Sequence, residues 1–259
     1  LDTSDNIEET NDTVLESSPT MTDENQDNFL SEVEENKEKS SSKNSYKVLA
    51  RKYRPQNFED LMGQEIMVQT LKNAFKTNRI AHAYILTGVR GIGKTTTARL
   101  LARSLNYETE TINEPNIDML ELGKHCLEIM ESRHIDVIEM DAASRTGIAD
   151  IREIIDSVNY SPSSARYKIY IIDEVHMLSK AAFNGLLKTL EEPPPHVKFI
   201  FATTEVQKIP LTILSRCQRF DLKRFDHDMI KLLINKVCEK EMVSIEDPII
   251  DLIAKASGG

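Results

Sequence analysis

The run Gly88, Val89, Arg90, Gly91, Ile92, Gly93, Lys94, Thr95 sets glycines, a lysine and a hydroxyl at a spacing suited to chemistry on phosphates. It matches the pattern G-x-x-x-x-G-K-[ST], in which backbone N–H groups wrap around the phosphates of a nucleotide. The lysine adds a point charge for the β- and γ-phosphates, and the threonine hydroxyl can bind Mg²⁺. Glycines at 88, 91 and 93 allow close backbone approach and φ values that other residues resist. A second group closes an apolar run, where Ile169-Tyr170-Ile171-Ile172 leads into Asp173-Glu174. The first acid can hold Mg²⁺, directly or through water, and the second is suited to orient or deprotonate an attacking water. Alone, such a pair also reads as a solvated strand end. Downstream of a phosphate loop it reads as the other half of a nucleotide site.

Two further groups leave alternatives open. Thr203-Thr204 follows the run Phe199 to Ala202. If that run is a strand beside the one ending at Asp173, a hydroxyl at its tip can bond a γ-phosphate or the lytic water. The alternative is an ordinary threonine turn or helix cap. Ser215-Arg216-Cys217 follows a short helical stretch, Pro210 to Leu214. Arg216 reads either as a structural ion-pair partner or as a finger reaching a neighbouring subunit's γ-phosphate. His125, His134, His176, His196 and His227 do not cluster at metal-ligand spacing. His176, just past the acid pair, is expected to orient or pack near the site.

The elements that must position these residues are legible as periodicities. Residues 64–77 place Ile66, Val68, Leu71, Ala74 and Phe75 at near-helical spacing. His82 to Thr87 is a short apolar run that reads as a buried strand and leads into the glycine loop. Ala98, Leu101, Ala102 and Leu105 then follow the helical i, i+3, i+4, i+7 pattern. Strand, glycine loop, helix is the context a phosphate loop requires, and the helix N-terminus favours anions. Further strand-like runs are Ile135–Met140, Lys168–Ile172 and Val197–Ala202, with helical stretches at 148–158 and 179–191 between them. This alternation predicts an α/β domain with a mainly parallel sheet. Residues 227–241 and 247–256 read as helices of a second, helical domain.

Composition narrows the class. The net charge of −10 is uneven, since residues 1–42 hold 13 acids and 2 lysines while the rest is near neutral. Residues 1–45 are polar and acidic with one aromatic, Phe29, and cannot bury enough apolar surface to offset ordering entropy. They are expected to be disordered, with Phe29-Leu30 and Val33 as a candidate docking group. No stretch approaches the ~18 apolar residues of a membrane span. The chain begins with Leu and an acidic segment, which does not read as a secretory signal and points to a fragment. Three widely spaced cysteines, Cys126, Cys217 and Cys238, fit a reducing cytoplasm better than a disulfide framework.

Together these residues resemble the gamma/tau ATPase subunits of bacterial DNA polymerase III clamp loaders, members of the AAA+ class. The resemblance covers about residues 46–259. It is carried by Ala50 to Pro55, Phe58 to Gln64, Gly88 to Thr96, Asp141 to Thr146 and Ile171 to Leu178. Phe183 to Pro194, Phe201 to Thr204 and Lys208 to Cys217 complete it. It implies an AAA+ P-loop fold over residues 46–222, a mainly parallel sheet flanked by helices, and the start of a small helical lid over 223–259. It implies that Lys94, Thr95 and Thr96 hold phosphate, that Thr95 and Asp173 hold Mg²⁺, and that Glu174 and Thr204 act on the lytic water. Arg216 matches a finger acting across a subunit interface, and Tyr53, Arg54 and Pro55 match the segment that helps enclose adenine. ATP would favour a ring-like assembly with further copies and with delta and delta-prime subunits. That assembly opens a sliding clamp, and primer–template DNA triggers hydrolysis.

Two departures qualify the resemblance. The family carries a four-cysteine zinc module between the phosphate-loop helix and Asp141-Ala142-Ala143-Ser144. Here only Cys126 remains and Tyr107 stands where the first cysteine is expected, so zinc is not expected and apolar packing by Phe and Leu is the expected substitute. The chain also ends at Gly258-Gly259, short of the family's second sensor arginine and oligomerisation collar. The 259 residues alone are therefore expected to bind ATP poorly and to assemble no competent loader. Competing readings are a branch-migration helicase of the same class and a stator that binds partners without hydrolysis. The Ser-Arg-Cys and Glu-Glu-Pro-Pro runs fit the loader better than the helicase, and intact Lys94, Asp173 and Glu174 speak against the stator. Arg145, Thr146 and the helix after them are candidates for DNA phosphate contact, the alternative being a mixed-charge surface helix.

Overall fold

The computed structural model describes residues 48–258, apart from Thr146 and the side chains of Arg51 and Ile148. The expected disordered tail, its Phe29 to Val33 group and the expected start of the fold at Tyr46 lie outside the described residues. The elements in chain order are α1 (Leu49–Lys52), α2 (Glu65–Lys76), β1 (Ala83–Thr87), α3 (Lys94–Leu105), α4 (Cys126–Met130), β2 (Val137–Asp141) and α5 (Ile148–Val158). They continue with β3 (Lys168–Asp173), α6 (Lys180–Glu191), β4 (Val197–Thr203), α7 (Leu211–Leu214), β5 (Gln218–Asp221), α8 (His227–Glu241) and α9 (Asp247–Ser257). Short 3₁₀ turns occupy Val175–Met177 and Val206–Lys208.

The five strands form one sheet in the order β2-β3-β4-β1-β5, and every pair is parallel. The central strands β1 and β4 are buried along their whole length, as their unbroken apolar runs require when helices cover both faces. Alternation sends side chains to opposite faces. Tyr84, Leu86, Ile169, Ile171 and Ile200 join one core with Leu71 of α2 and Ala98, Leu101 and Leu105 of α3. Ala83, Ile85, Tyr170, Ile172, Phe199 and Phe201 join the other, with Ile151 and Ile154 of α5 and Ala182, Phe183 and Leu186 of α6. Truncating a fully buried aromatic such as Phe201 to Ala costs ~3–5 kcal/mol.

Three details differ from the periodicity reading. Ile66 does not face the core: it is exposed, and Met67 with Leu71 forms the buried face of α2. The strand expected from Ile135 begins at Val137, because Val137 N–H closes a turn onto His134 O and leaves Ile135 in water. Strand β5 was not foreseen. Its four residues Gln218–Asp221 carry one buried side chain, Phe220, so its only clear signal is its pairing with β1.

Helix ends follow local chemistry. Ser179 caps α6 by accepting from Ala182 N–H at 3.2 Å, and Asp226 caps α8 by accepting from Met229 N–H at 2.8 Å. The chain leaving β5 toward α8 is clasped by Gln64, which is buried. Its amide N–H donates to Lys223 O at 2.9 Å and its Oε1 accepts from Lys223 N–H at 3.2 Å. One side chain thus satisfies both backbone groups of a residue far away in sequence.

Candidate nucleotide site

In the order β2-β3-β4-β1-β5 the strand sequence changes direction at the centre, and ligands of such sheets bind beyond the carboxyl ends of the strands at this crevice. The candidate residues lie at those ends. The glycine loop leaves β1, Asp173 ends β3 and Thr203 ends β4. The loop is pinned on both sides, since Gly88 N–H donates to Thr203 O at 3.3 Å and Leu222 N–H to Thr87 O at 2.9 Å. The Thr87 hydroxyl donates to Asp221, tying the last residue of β1 to the last of β5.

Within the loop Gly91 and Gly93 have φ of 84° and 97°, conformations that side-chain-bearing residues rarely adopt. A Cβ built on either would meet nothing within 4 Å, so the inner face is an open cradle. Lys94 is buried, and its Nζ donates to Gly88 O and Val89 O, both at 3.0 Å. Burial pulls its ammonium down, while Glu174 and Asp173 oppose that pull. Thr95 Oγ1 donates to Asp173 Oδ2 at 2.5 Å, so the two residues assigned to Mg²⁺ already face one another. One carboxylate plus one hydroxyl is a donor set that suits Mg²⁺, which keeps waters and takes further oxygens from phosphates. The site residues therefore fit a Mg²⁺–nucleotide.

The second acid is held differently. Glu174 sits in the left-handed region at φ 45°, with its N–H donating to Asp173 Oδ1 at 2.9 Å. A non-glycine residue there is a local strain of the kind found at functional sites. Its Oε2 accepts from Thr204 Oγ1 at 3.0 Å and from Thr204 N–H at 3.2 Å. The neighbour condition set by the sequence holds: β3 pairs with β4, and Thr204 stands beside the acid. Lys94, Thr95, Asp173, Glu174 and Thr204 thus come together from three separate stretches of chain.

Other expected residues lie elsewhere. The Arg216 guanidinium donates to Glu191 Oε1 at 2.6 Å and to Thr212 O at 2.7 Å, so within one chain it is an ion-pair partner at the C-terminal end of α6. Cys217 beside it has its thiol pushed up to about 12 by burial, so it is not a reactive thiolate. The Tyr53 hydroxyl donates to Glu241 Oε1 of α8 at 2.7 Å, and Lys52 bonds the same carboxylate at 2.6 Å. This segment therefore meets α8 at its C-terminal end. Arg145 is exposed, and Thr146 lies outside the described residues.

A family model described as the DNA polymerase III delta subunit matches residues 63–226. The chain belongs to the DNA polymerase III subunit family. Among proteins of that family it is 49% identical over 215 residues to the DNA polymerase III subunit tau of Escherichia coli, covering 83% of this chain and 33% of that one. The tau subunit of Bacillus subtilis is also 49% identical, with 83% and 38% covered. The gamma subunit of Buchnera aphidicola from Acyrthosiphon pisum is 47% identical, with 83% and 58% covered. The chain thus spans between a third and three-fifths of the length of these relatives. Among solved structures, the Thermotoga maritima RuvB Holliday junction branch migration motor has a TM-score of 0.54 at 21% identity, covering 78% of this chain and 59% of that one. That likeness bears on the fold alone, which is the AAA+ P-loop fold implied by the sequence.

The stretch where the family carries cysteines is built around an aromatic ring. Tyr107 is buried; its hydroxyl donates to Glu121 O at 3.0 Å and accepts from Glu121 N–H at 3.3 Å. Cys126 is buried and accepts from Arg103 Nε at 2.9 Å. Gly123 packs so closely that a Cβ there would meet Glu108 O at 2.7 Å, and Cys126 Sγ and the Tyr107 ring at 3.1 Å. Ile117, Met119 and Ile129 of this stretch are buried in the same apolar core as Tyr107, where Phe and Leu were expected. Among the described residues, no three His, Cys, Asp or Glu side chains gather as a metal ion would need.

Sequence reasoning missed several residues that shape this region. Arg99 of α3 grips Glu139 of β2 with bonds of 2.7 and 2.9 Å. Asp136, which is buried, accepts from Ser163 N–H, Ser164 N–H and Ala165 N–H at 2.7, 2.7 and 2.8 Å. Neither shows a motif. Each is a lone charge inside an apolar stretch, and only the fold reveals its partner.

Proposed function

We propose that this protein is an ATP-hydrolysing motor subunit of a bacterial replicative clamp loader, acting in the cytoplasm within the DNA polymerase III holoenzyme. The supporting observation is the geometry of Glu174. The carboxylate of a residue with strained backbone is held by Thr204 next to a phosphate loop whose Thr95 already faces Asp173. In this reading Gly88 to Thr96 cradle the phosphates, Lys94 supplies a positive charge, and Thr95 and Asp173 hold Mg²⁺. A metal held there would neutralise charge developing on the phosphates. Glu174 orients or deprotonates the attacking water, and Thr204 fixes the direction in which that carboxylate points. Arg216 serves a neighbouring subunit's phosphates once assembly draws it from Glu191. Tyr53, Arg54 and Pro55 help enclose the adenine. Residues 46–222 are the ATPase domain, and α8 and α9 begin a lid over 223–259.

The proposed partners are further copies of this chain, delta and delta-prime subunits, the sliding clamp and primer–template DNA. Identities of 47–49% to tau and gamma subunits support a replication role over branch migration, for which the likeness is one of fold at 21% identity. Intact Lys94, Asp173 and Glu174 favour a motor over a stator. The test is Glu174→Gln in the assembled protein. The amide keeps the shape but cannot act as a base, so nucleotide should bind as in the wild type while hydrolysis stops. Unchanged hydrolysis would remove Glu174 from this role.

A further inference from the structure

We infer that His176 is a positioning residue for hydrolysis, acting through Thr203 and Glu205 on the Glu174–Thr204 pair. The inference rests on the reading of Glu174 as the residue that orients the attacking water. His176 lies in the 3₁₀ turn after Glu174, and its side chain is only 6% exposed. Its Nδ1 is 3.0 Å from Thr203 Oγ1 and 3.4 Å from Glu174 Oε2. Its Nε2 is 3.3 Å from Glu205 Oε1, a carboxylate that Lys208 also holds at 2.9 Å. Thr203 Oγ1 in turn accepts from Glu205 N–H at 3.0 Å.

These contacts tie the ring to both flanks of Thr204. A carboxylate facing Nε2 favours an N–H on that nitrogen, because a lone pair there would be repelled. Nδ1 bonds the Thr203 hydroxyl, which already accepts from Glu205 N–H. The ring therefore reaches the residues on either side of Thr204, bonding Thr203 and facing the Glu205 carboxylate, while Thr204 itself bonds Glu174. It braces the exit of β4 against the turn that carries the acid. Without it, the exit can rotate relative to the tip of β3, and Thr204 loses its aim at Oε2.

The test compares three variants in the protein assembled with its partner subunits, clamp and primer–template DNA, with Glu174→Gln measured alongside. Asn places an amide near the position of Nδ1 and can keep the Thr203 link. Gln reaches the position of Nε2 and can keep only the Glu205 link, and Phe keeps neither. His176→Phe and His176→Gln should each lower single-turnover hydrolysis about 10- to 100-fold, the scale of a displaced catalytic group, with ATP affinity unchanged. His176→Asn should retain most of the rate. The inference is overturned if Phe turns over like the wild type, if Gln equals or exceeds Asn, or if all three lose affinity and melting temperature in step with rate. Wild-type hydrolysis that survives in Glu174→Gln, or is absent altogether, overturns the site reading and this inference with it. Loss of hydrolysis in Glu174→Gln without loss in His176→Phe overturns this inference alone.

Discussion

Replacing Thr204 by Val isolates one bond in the proposed site. Val keeps the β-branched shape, so packing at the end of β4 is preserved, but it removes the hydroxyl that donates to Glu174 Oε2 at 3.0 Å. A hydrogen bond to a charged group contributes ~1.5–3 kcal/mol. The Thr204 backbone N–H, at 3.2 Å from the same oxygen, survives the substitution and holds the carboxylate partly in place. The lower half of that range therefore applies, ~1.5–2 kcal/mol. If the bond aims the carboxylate in the transition state, turnover falls about 10- to 30-fold, since each ~1.4 kcal/mol is tenfold in rate. The assay is single-turnover ATP hydrolysis in the assembled protein with clamp and primed DNA, paired with nucleotide affinity measured without turnover. A fall in rate at constant affinity marks an interaction made in the transition state. A rate close to that of the wild type would refute the reasoning. So would an equal loss of affinity, which would place the hydroxyl on bound nucleotide rather than on Glu174.

Two further predictions concern the frame around the site. Gln64→Leu leaves the backbone N–H and C=O of Lys223 without their partner, at a cost of about 2–4 kcal/mol read by chemical denaturation, whereas a surface change would cost almost nothing. Asp136→Asn places N–H groups against N–H donors and should cost about 2–3 kcal/mol at neutral pH. Burial alone would raise the Asp136 carboxyl, but bonds from Ser163, Ala165 and Ser164 outweigh it and hold the group below the ordinary carboxylate range. Its contribution is therefore full above the unfolded value of about 4 and is lost as pH falls through the lower folded value. The difference in stability between wild type and Asp136→Asn should shrink in that acid window. A difference that stays constant with pH would refute the assignment.

What could be read from the residues was what local spacing encodes. Apolar runs placed β1, β3 and β4, and the glycine pattern placed the loop between β1 and α3. The acid pair and Thr204 were legible because each ends an apolar strand, although their meeting depended on β3 pairing with β4. Long-range partners were not legible. Nothing near Gln64 announces Lys223, nothing near Asp136 announces the turn at Ser163 to Ala165, and nothing near Arg216 announces Glu191. Strand β5 hid for the same reason, since an edge strand of four residues with one buried side chain leaves almost no periodicity to detect. Ile66 misled because several apolar residues fit a helical stripe, and packing against the core chose Met67 instead.

The central proposal is that this chain supplies half of an ATPase site completed by an arginine of the next subunit, as its own Arg216 completes a neighbour's. It is tested most directly by ATP turnover of the assembled protein before and after clamp and primer–template DNA are added, in wild type and in Arg216→Ala. Clamp and DNA should stimulate turnover in the wild type. Arg216→Ala should lose about 10³-fold or more with nucleotide binding retained, the scale of a finger arginine. Turnover indifferent to clamp and DNA, or an Arg216→Ala protein as active as the wild type, would contradict it.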